Sequence, residues 1–286
     1  MLVLAAFLGL GLFLSNRDAS SPSSRARPGE TRPGSKATRP VSPSSDFWIA
    51  ALARVINKVS HLAERGALDR FAARNQPLYC GGSSGRYVAL TFDDGPGLYT
   101  PLALKILRKE HVRATFFLVG RNVASRQSEV REELANYSAL GDHTWSHKSL
   151  VGLERAQISH QIVRTKKAIS KATGTKVRLF RSPYGARNAR VDRVARRLGM
   201  IEVLWSIDSG DSQGNNWRQI GHEVLRNVQP GSIVLLHENR GQTIRALHRL
   251  ILPGLEERGL TPVTVPELLM LDPPPLNGSL ERCWAH

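Results

Sequence analysis

Setting aside the first forty-odd of the 286 residues leaves roughly 200–240, the size of one α/β barrel, so one such domain plus an extension is expected. Forty Lys and Arg against 24 Asp and Glu give a net charge of +16, which directs the chain toward anionic surfaces such as wall polymers or lipid head groups. No helix-turn-helix, zinc-finger or RRM signature accompanies that charge, and no GxGxxG or Walker loop occurs, so neither nucleic-acid binding nor a nucleotide cofactor is expected.

Leu2–Leu14 is an apolar run of signal-peptide length, short of the about 20 residues that a membrane span needs. No Lys or Arg precedes it, while Arg17, Arg25 and Arg27 follow. The positive-inside rule alone would then leave the rest of the chain in the cytoplasm. Ser15–Ser45, rich in Ser, Pro and Arg, is expected to be a disordered tether. Asp46–Tyr79 reads as helical, with Trp48, Leu52, Val55, Ile56, Val59 and Leu62 on one face. Such a stripe packs against its own domain more often than it lies on a membrane. The main folded domain is expected over residues 80–286, where strands and helices alternate without an internal repeat. Strands are predicted at Arg86–Phe92, Ala114–Val119, Val177–Phe180, Ile201–Ser206, Ser232–His237 and Leu260–Val265. Helices are predicted at Pro101–Glu110, Glu129–Ala139, Arg155–Ala172, Ala189–Leu198, Trp217–Asn227 and Thr243–Arg258. Thr100 before Pro101 makes an N-cap and N1 pair, and Gly174, Gly199 and Gly259 stand where C-caps belong. Alternation of this kind implies a parallel sheet.

Five segments carry the chemistry. Thr91-Phe92-Asp93-Asp94-Gly95-Pro96 puts adjacent carboxylates at the end of the apolar run Tyr87–Leu90. Two like charges side by side are costly unless a cation sits beside them. Taken alone, Asp-Asp-Gly reads as a solvated turn. His143-Thr144-Trp145-Ser146-His147 follows, and histidines at i and i+4 share one face of a helical turn, close enough for one ion. Imidazole suits Zn²⁺, and an Asp oxygen completes a three-ligand set with a position left open, as in catalytic zinc sites. Arg181-Ser182-Pro183-Tyr184, Asp208-Ser209-Gly210-Asp211 and Leu235-Leu236-His237 each end a strand. Read singly, these are a turn, two helix N-caps and a core histidine. Together they set Asp, His, Arg, Asp and His at the C-terminal ends of successive strands, where a parallel barrel places its active site. A closed but irregular (β/α) barrel of seven or eight strands, with an N-terminal helical extension, is therefore expected ahead of an open doubly wound sheet.

In content and order these segments resemble the five motifs of the polysaccharide deacetylase (NodB-like, carbohydrate esterase 4) family: TFDDGP, H-(S/T)-x-x-H, R-x-P-Y, D-x-x-D-W and L-x-H. The resemblance runs from about Arg86 to Met270. It implies that Asp94, His143 and His147 hold a divalent metal, Zn²⁺ first with Co²⁺ or Mn²⁺ as alternatives. It makes Asp93 the general base toward a water activated at the metal, with Arg181 keeping Asp93 ionised. His237 becomes the general acid, held as imidazolium by Asp211 with Asp208 in support, and the Tyr184 main-chain N–H steadies the oxyanion. Pro183 and Leu235 belong to the same substrate-facing motifs. The implied reaction removes N-acetyl groups from N-acetylhexosamine units, in peptidoglycan first and in chitin-like oligomers second. An O-acetyl esterase and a glycan-binding member without turnover are the alternatives. Two departures stand out: Ser212 replaces the tryptophan of the fourth motif, and the approach to His143 (Tyr137–Asp142) lacks the usual Gly-His-Glu.

The family's substrates are cell-wall or extracellular glycans, so an extracytoplasmic location, secreted or tethered through Leu2–Leu14, is expected despite the flanking charges. Cys80 and Cys283 fit that location as one disulfide tying the barrel entry to the C-terminal tail, with two free thiols as the alternative. The expected partners are an N-acetylated glycan and an anionic wall or membrane surface, and the chain is expected to act as a monomer.

Overall fold

A computed structural model of the chain describes residues 61–136, 138–275 and Cys283. The apolar segment 1–14, the tether 15–45 and residues 46–60 of the expected helix lie outside the described residues. Eight parallel strands form one sheet: β1 (Tyr87–Gly95), β2 (Thr115–Leu118), β3 (Ala139–Asp142), β4 (Leu179–Phe180), β5 (Ile201–Glu202), β6 (Ile207–Asp208), β7 (Ile233–His237) and β8 (Thr261–Val263). Their order is β5-β4-β3-β2-β1-β7-β6, with β8 paired to β1. The ends, β5 and β6, are not hydrogen-bonded to each other, so the barrel is irregular, as expected from the motif positions. Helical residues 61–72 (α1) precede the sheet. The remaining helices fall between and after the strands: α2 (Thr100–Lys109), α3 (Gly120–Ser125), α4 (Gln127–Ala135), α5 (Arg155–Thr173), α6 (Ala189–Arg197), α7 (Trp217–Asn227), α8 (Gly241–Ala246), α9 (Leu252–Glu257) and α10 (Val265–Leu271).

The period-2 alternation of a strand decides what β1 shows to each side. Val88, Leu90 and Phe92 join the large cluster that packs under the outer helices, with Phe116, Phe180 and Leu236. Ala89 joins a second cluster with Phe117, Leu179, Val203, Ile233 and Val263. Ala67, Leu68 and Phe71 of α1 pack into that second cluster, whereas Leu62, the one described residue of the expected apolar stripe, is exposed. Each of the buried Val, Leu, Ile and Phe side chains contributes about 1.5–3 kcal/mol by leaving water.

Several expected elements change. Helix α1 stops at residue 72 rather than Tyr79, because Asn75 takes a left-handed φ of 55° and Leu78 bridges to Val203 as extended chain. The helix expected at Glu129–Ala139 ends at Ala135, and Ala139–Asp142 forms β3, whose Leu118↔Asp142 register sets His143 just beyond the sheet. The single helix expected at Thr243–Arg258 is two segments, α8 and α9, joined by a π turn at Leu247–Ile251, just before Pro253 in the first turn of α9. A proline has no N–H to donate and crowds the preceding turn, which a π bulge relieves. Strand β8 covers only Thr261–Val263, and Thr264 then caps α10 through a capping box with Glu267. Cys80 is joined to Cys283 with Cα atoms 5.8 Å apart. Among the described residues no helix is long and apolar enough to cross a membrane.

Candidate metal and acid–base site

The sheet register gathers the motif residues. Asp93 of β1 pairs with His237 of β7, and the pairing of β1 with β2 shifts between Asp93 and Gly95. A shift of this kind inserts one extra residue, Asp94, and re-aims its side chain. Asp94 holds a left-handed φ of 71°, with its carbonyl taken by Asn122 Nδ2 at 2.9 Å.

His143 and His147 do not sit on a helical turn, as their spacing had implied. They lie in a loop with left-handed backbone at Thr144 (φ 67°) and His147 (φ 56°). The loop is built by short polar contacts: Asp142 Oδ1 accepts the Thr144 N–H at 2.8 Å, and Thr144 Oγ1 accepts the His147 N–H at 3.1 Å. Among the described residues, four of the six non-glycine residues with positive φ, Asp94, Thr144, His147 and Tyr184, belong to this site. Such conformations cost about 1–3 kcal/mol each and persist only where the surroundings enforce them.

Asp94, His143 and His147 each offer one ligand atom, all within 4.8 Å of one another. His147 Nε2 lies 3.2 Å and His143 Nε2 3.8 Å from Asp94 Oδ1. Two atoms held about 2.1 Å from a tetrahedral centre are separated by about 3.4 Å, so the spacing suits a zinc-sized ion. Two further observations fit a cation. Asp94 Oδ1 is buried without a hydrogen-bond donor. His143 Nδ1 lies 2.8 Å from the Arg181 carbonyl, which can only accept, so that nitrogen carries the proton and Nε2 keeps its lone pair for the metal position. Burial first, and His143 second, hold the His147 imidazole below its ordinary value, in the neutral form a metal needs.

Two charge pairs flank this set. Arg181, fully buried, spends its guanidinium on Asp93 Oδ1 (2.8 Å), the Thr91 hydroxyl (2.9 Å) and the carbonyls of Val203 (2.9 Å) and Leu204 (3.0 Å). Its plane lies 4.1 Å from the Phe117 ring and 5.5 Å from Trp205. The free oxygen of Asp93, Oδ2, is 3.5 Å from His143 Nε2. On the other side, Asp211 Oδ1 meets His237 Nδ1 at 2.7 Å, while Oδ2 accepts from the His237 N–H and the Thr243 hydroxyl, both at 2.7 Å. Burial works to raise the Asp211 carboxyl, but His237 and Thr243 donate to it and hold it below its usual range. Burial likewise lowers the His237 imidazole, and Asp211 more than reverses this, leaving His237 above its ordinary value.

The remaining predicted residues fall as follows. Asp208 accepts the N–H of Gly210 at 2.9 Å in a local turn and makes no hydrogen bond to His237 or Asp211, so it is not part of that network as the motif implied. Tyr184 is 71% exposed, with its ring 4.8 Å from that of His147, while Pro183 and Leu235 are buried. Ser212 is exposed in a single 3₁₀ turn, and Trp217 sits at the start of α7 near the guanidinium groups of Arg218 and Arg245. Sequence reasoning missed Trp205, whose ring lies against Gly185. A Cβ there would come within 2.8 Å of it, and Gly185 already has φ 63°. It also missed Asn122 and Glu238. Glu238 is fully buried, its carboxyl crowds the Cα of Gly95, and it accepts from the Thr100 hydroxyl. Burial, reinforced by Asp94 and Asp93 against the opposing Thr100 bond, pushes Glu238 up to about 8. An apolar strand followed by His-Glu was the available signal for Glu238; nothing local marks the other two.

Known proteins resemble this chain in sequence and fold. The profile of the family described as Polysaccharide deacetylase matches residues 81–203. A chitooligosaccharide deacetylase of Azorhizobium caulinodans is 34% identical over 188 residues, 60% of this chain and 89% of that protein. A peptidoglycan-N-acetylglucosamine deacetylase of Listeria monocytogenes is 35% identical over 63% of this chain, which spans only 38% of that protein's length. Among solved structures, a CE4 family pseudoenzyme from Bacillus anthracis superposes with a TM-score of 0.65 at 31% identity, covering 68% of this chain and 69% of that one. With the motif order, the barrel topology and near-complete coverage of a relative in agreement, the chain belongs to the polysaccharide deacetylase family.

Proposed function

We propose that this protein hydrolyses the N-acetyl groups of N-acetylhexosamine units in a polysaccharide, peptidoglycan first and chitin-like oligomers second, with a divalent metal. The observation that carries this reading is the pair of opposed charge contacts, Arg181–Asp93 and Asp211–His237, on either side of Asp94, His143 and His147. A Zn²⁺, Co²⁺ or Mn²⁺ ion held by those three residues would acidify a water toward neutral pH and polarise the acetamide carbonyl. Arg181 occupies Asp93 Oδ1, which leaves Oδ2 to take the proton of the attacking water. Asp211 engages His237 Nδ1, so Nε2–H delivers a proton to the departing nitrogen. The C–N bond breaks, acetate leaves, and the glycan keeps an amine. Base and acid contribute about 10²–10⁴-fold each, with Arg181 holding the Asp93 carboxyl in place and Asp211 raising the His237 imidazole. The Tyr184 main-chain N–H is assigned to the oxyanion. The Cys80–Cys283 bond supports an extracytoplasmic location, since reducing compartments keep thiols free.

Binding without turnover is the second reading, favoured by Ser212 in place of the motif tryptophan and by the likeness to a protein described as a pseudoenzyme. A glycan-binding site has no use for a base and an acid held by dedicated counter-ions. The test is acetate release by the purified chain from peptidoglycan and from chitin oligomers, after chelation and again with Zn²⁺ or Co²⁺ restored. Metal-dependent release that Asp93→Asn abolishes supports hydrolysis. Stoichiometric metal without release from these glycans or from acetylated xylan leaves the binding reading, and failure to bind metal ends both.

A further inference from the structure

The positive charge of this chain is concentrated. Residues 155–200 contain thirteen Lys and Arg and one acid, Asp192, so +12 of the total +16 falls there, against 27 basic and 23 acidic residues in the other 240. This stretch folds as α5, β4, the Arg181–Tyr184 turn and α6. The two helices pack side by side, with Lys166 Nζ in the second half of α5 donating at 2.8 Å to the carbonyl of Leu198, the residue that ends α6.

Part of this charge has structural use: Arg178 pairs with Asp69, Arg181 with Asp93, Arg187 with Asp192 and Arg190 with Glu154. Lys167, Lys171, Lys176, Arg193 and Arg197 are exposed and have no carboxylate within ion-pair distance among the described residues. On α5, Ile158, Ile162 and Ile169 are buried, and Lys167 and Lys171 stand on the opposite, outward face. On α6, Arg193 and Arg197 stand outward while Val191 and Val194 are buried. Like charges four residues apart repel along a helix. Cations in a last turn answer the helix dipole, which accounts for Lys171 and Arg197 but not for Lys167, Lys176 or Arg193. A general bias toward arginine would spread it along the chain instead of gathering it on two neighbouring helices.

We propose that the α5–α6 face is a docking track for a phosphodiester-type anionic wall polymer lying beside the glycan. A bilayer suits it poorly, because none of the exposed large apolar side chains (Leu62, Leu98, Leu102, Val151, Tyr184 and Leu271) lies on α5 or α6. Helices that lie in a membrane surface present an apolar face as well as a cationic one. The track runs about 28 Å along the 19 residues of α5 at 1.5 Å per residue. It opens at the catalytic face, since the loop bearing His143 and His147 leads into α5 and the Arg181–Tyr184 turn leads into α6. One corollary rests on the deacetylase reading: each turnover exposes an amine that protonates, so the processed strand is repelled from the track while the anionic polymer is held.

The experiment measures binding of the full chain to poly(glycerol phosphate) across a salt series. The variants are Lys167→Gln/Lys171→Gln/Arg193→Gln/Arg197→Gln, and an equal-charge control in which Lys105, Arg108, Arg131 and Arg249 become Gln, with circular dichroism to verify folding. The track variant is expected to bind more weakly, with its log–log salt slope reduced by about 1 per removed cation, while the control keeps the wild-type slope. Acetate release from neutral chitin oligomers, which touch no phosphodiester, stays at the wild-type rate in both. Equal slopes for wild type and the track variant, or equal losses in both variants, overturn the proposal, the latter because net charge alone then explains binding. Loss of binding to anionic phospholipid vesicles with polymer binding intact moves the surface to a membrane and also overturns it. Binding is read without catalysis, so failure here leaves the deacetylase reading standing.

Discussion

Asp211→Asn isolates the acid half of the proposed chemistry. The substitution keeps the size of the side chain and one acceptor oxygen, but removes the charge that His237, its own N–H and the Thr243 hydroxyl now share at 2.7 Å each. A hydrogen bond to a charged group contributes about 1.5–3 kcal/mol, and 1.36 kcal/mol is tenfold. The imidazolium therefore becomes scarcer on the alkaline side, and turnover there falls by about 10- to 150-fold. The assay is acetate release from chitin oligomers as a function of pH. The alkaline limb of kcat moves to lower pH, the acid limb stays in place, and activity partly recovers as the buffer is acidified. A uniform loss at every pH, with the alkaline limb unmoved, would refute the argument and reduce Asp211 to a packing role.

The same pair has a stability signature of opposite sign at its two ends. His237 titrates above its ordinary 6.5, so its contribution is complete below pH 6.5 and disappears as pH rises through the folded value. Asp211 titrates below its ordinary 3.8, so its contribution is complete above that pH and is lost as pH falls through the folded value. Between 3.8 and 6.5 both are present, and Asp211→Asn should remove that shoulder from a plot of denaturation midpoint against pH.

Other perturbations test the remaining parts. Asp94→Ala or His147→Ala should abolish stoichiometric metal binding, and with it the stabilisation that saturating Zn²⁺ gives, about 4 kcal/mol at a thousandfold excess over Kd; retained metal by elemental analysis would refute the ligand set. Arg181→Met leaves Asp93 and two backbone carbonyls buried without donors, at a cost of about 3–5 kcal/mol in chemical denaturation, and a loss under about 1 kcal/mol would contradict the contacts around it. Replacing Cys80 and Cys283 by Ser opens a bond between residues 203 apart, worth about 5 kcal/mol on the chain-entropy account, so an unchanged thermal midpoint would show that the bond does not constrain the unfolded chain.

Much of the site was legible because its residues follow strands. Apolar runs ending in Asp93, Arg181 and His237 betray both the strand and the end at which it stops, and the parallel order then brings those ends together. The histidine pair was legible as a pair but not as a shape: spacing of four implies a helical turn, whereas Thr144 and His147 are left-handed and Asp142 and Thr144 tie the loop by side-chain bonds. Strand β3 hid because Ala139-Leu140-Gly141-Asp142 has one large apolar residue in four, and Gly141 is there because a Cβ would come within 2.5 Å of Phe117. Helix α10 carried its own signal in Thr264, Pro266 and Glu267, which an apolar Leu260–Val265 strand reading overrode.

The carboxyls around the site show where sequence stops being informative. Asp93 and Asp211 are buried against Arg181 and His237, partners that lie 88 and 26 residues away in the chain. Glu133 and Glu238 are equally buried, yet each has the other's carboxyl nearby, and both are raised by burial first and by neighbouring acids next. In the sequence all four look like ordinary acidic residues, most of which are solvated. Distant contacts divide them into two kinds: carboxylates held against a cationic partner, and acids that burial and neighbouring carboxyls push toward the neutral form. Glu238 belongs to the second kind, because Gly95 has no Cβ to exclude its carboxyl and Thr100 donates to its other oxygen. A carboxylic acid at that point braces the loop without adding negative charge beside Asp93 and Asp94.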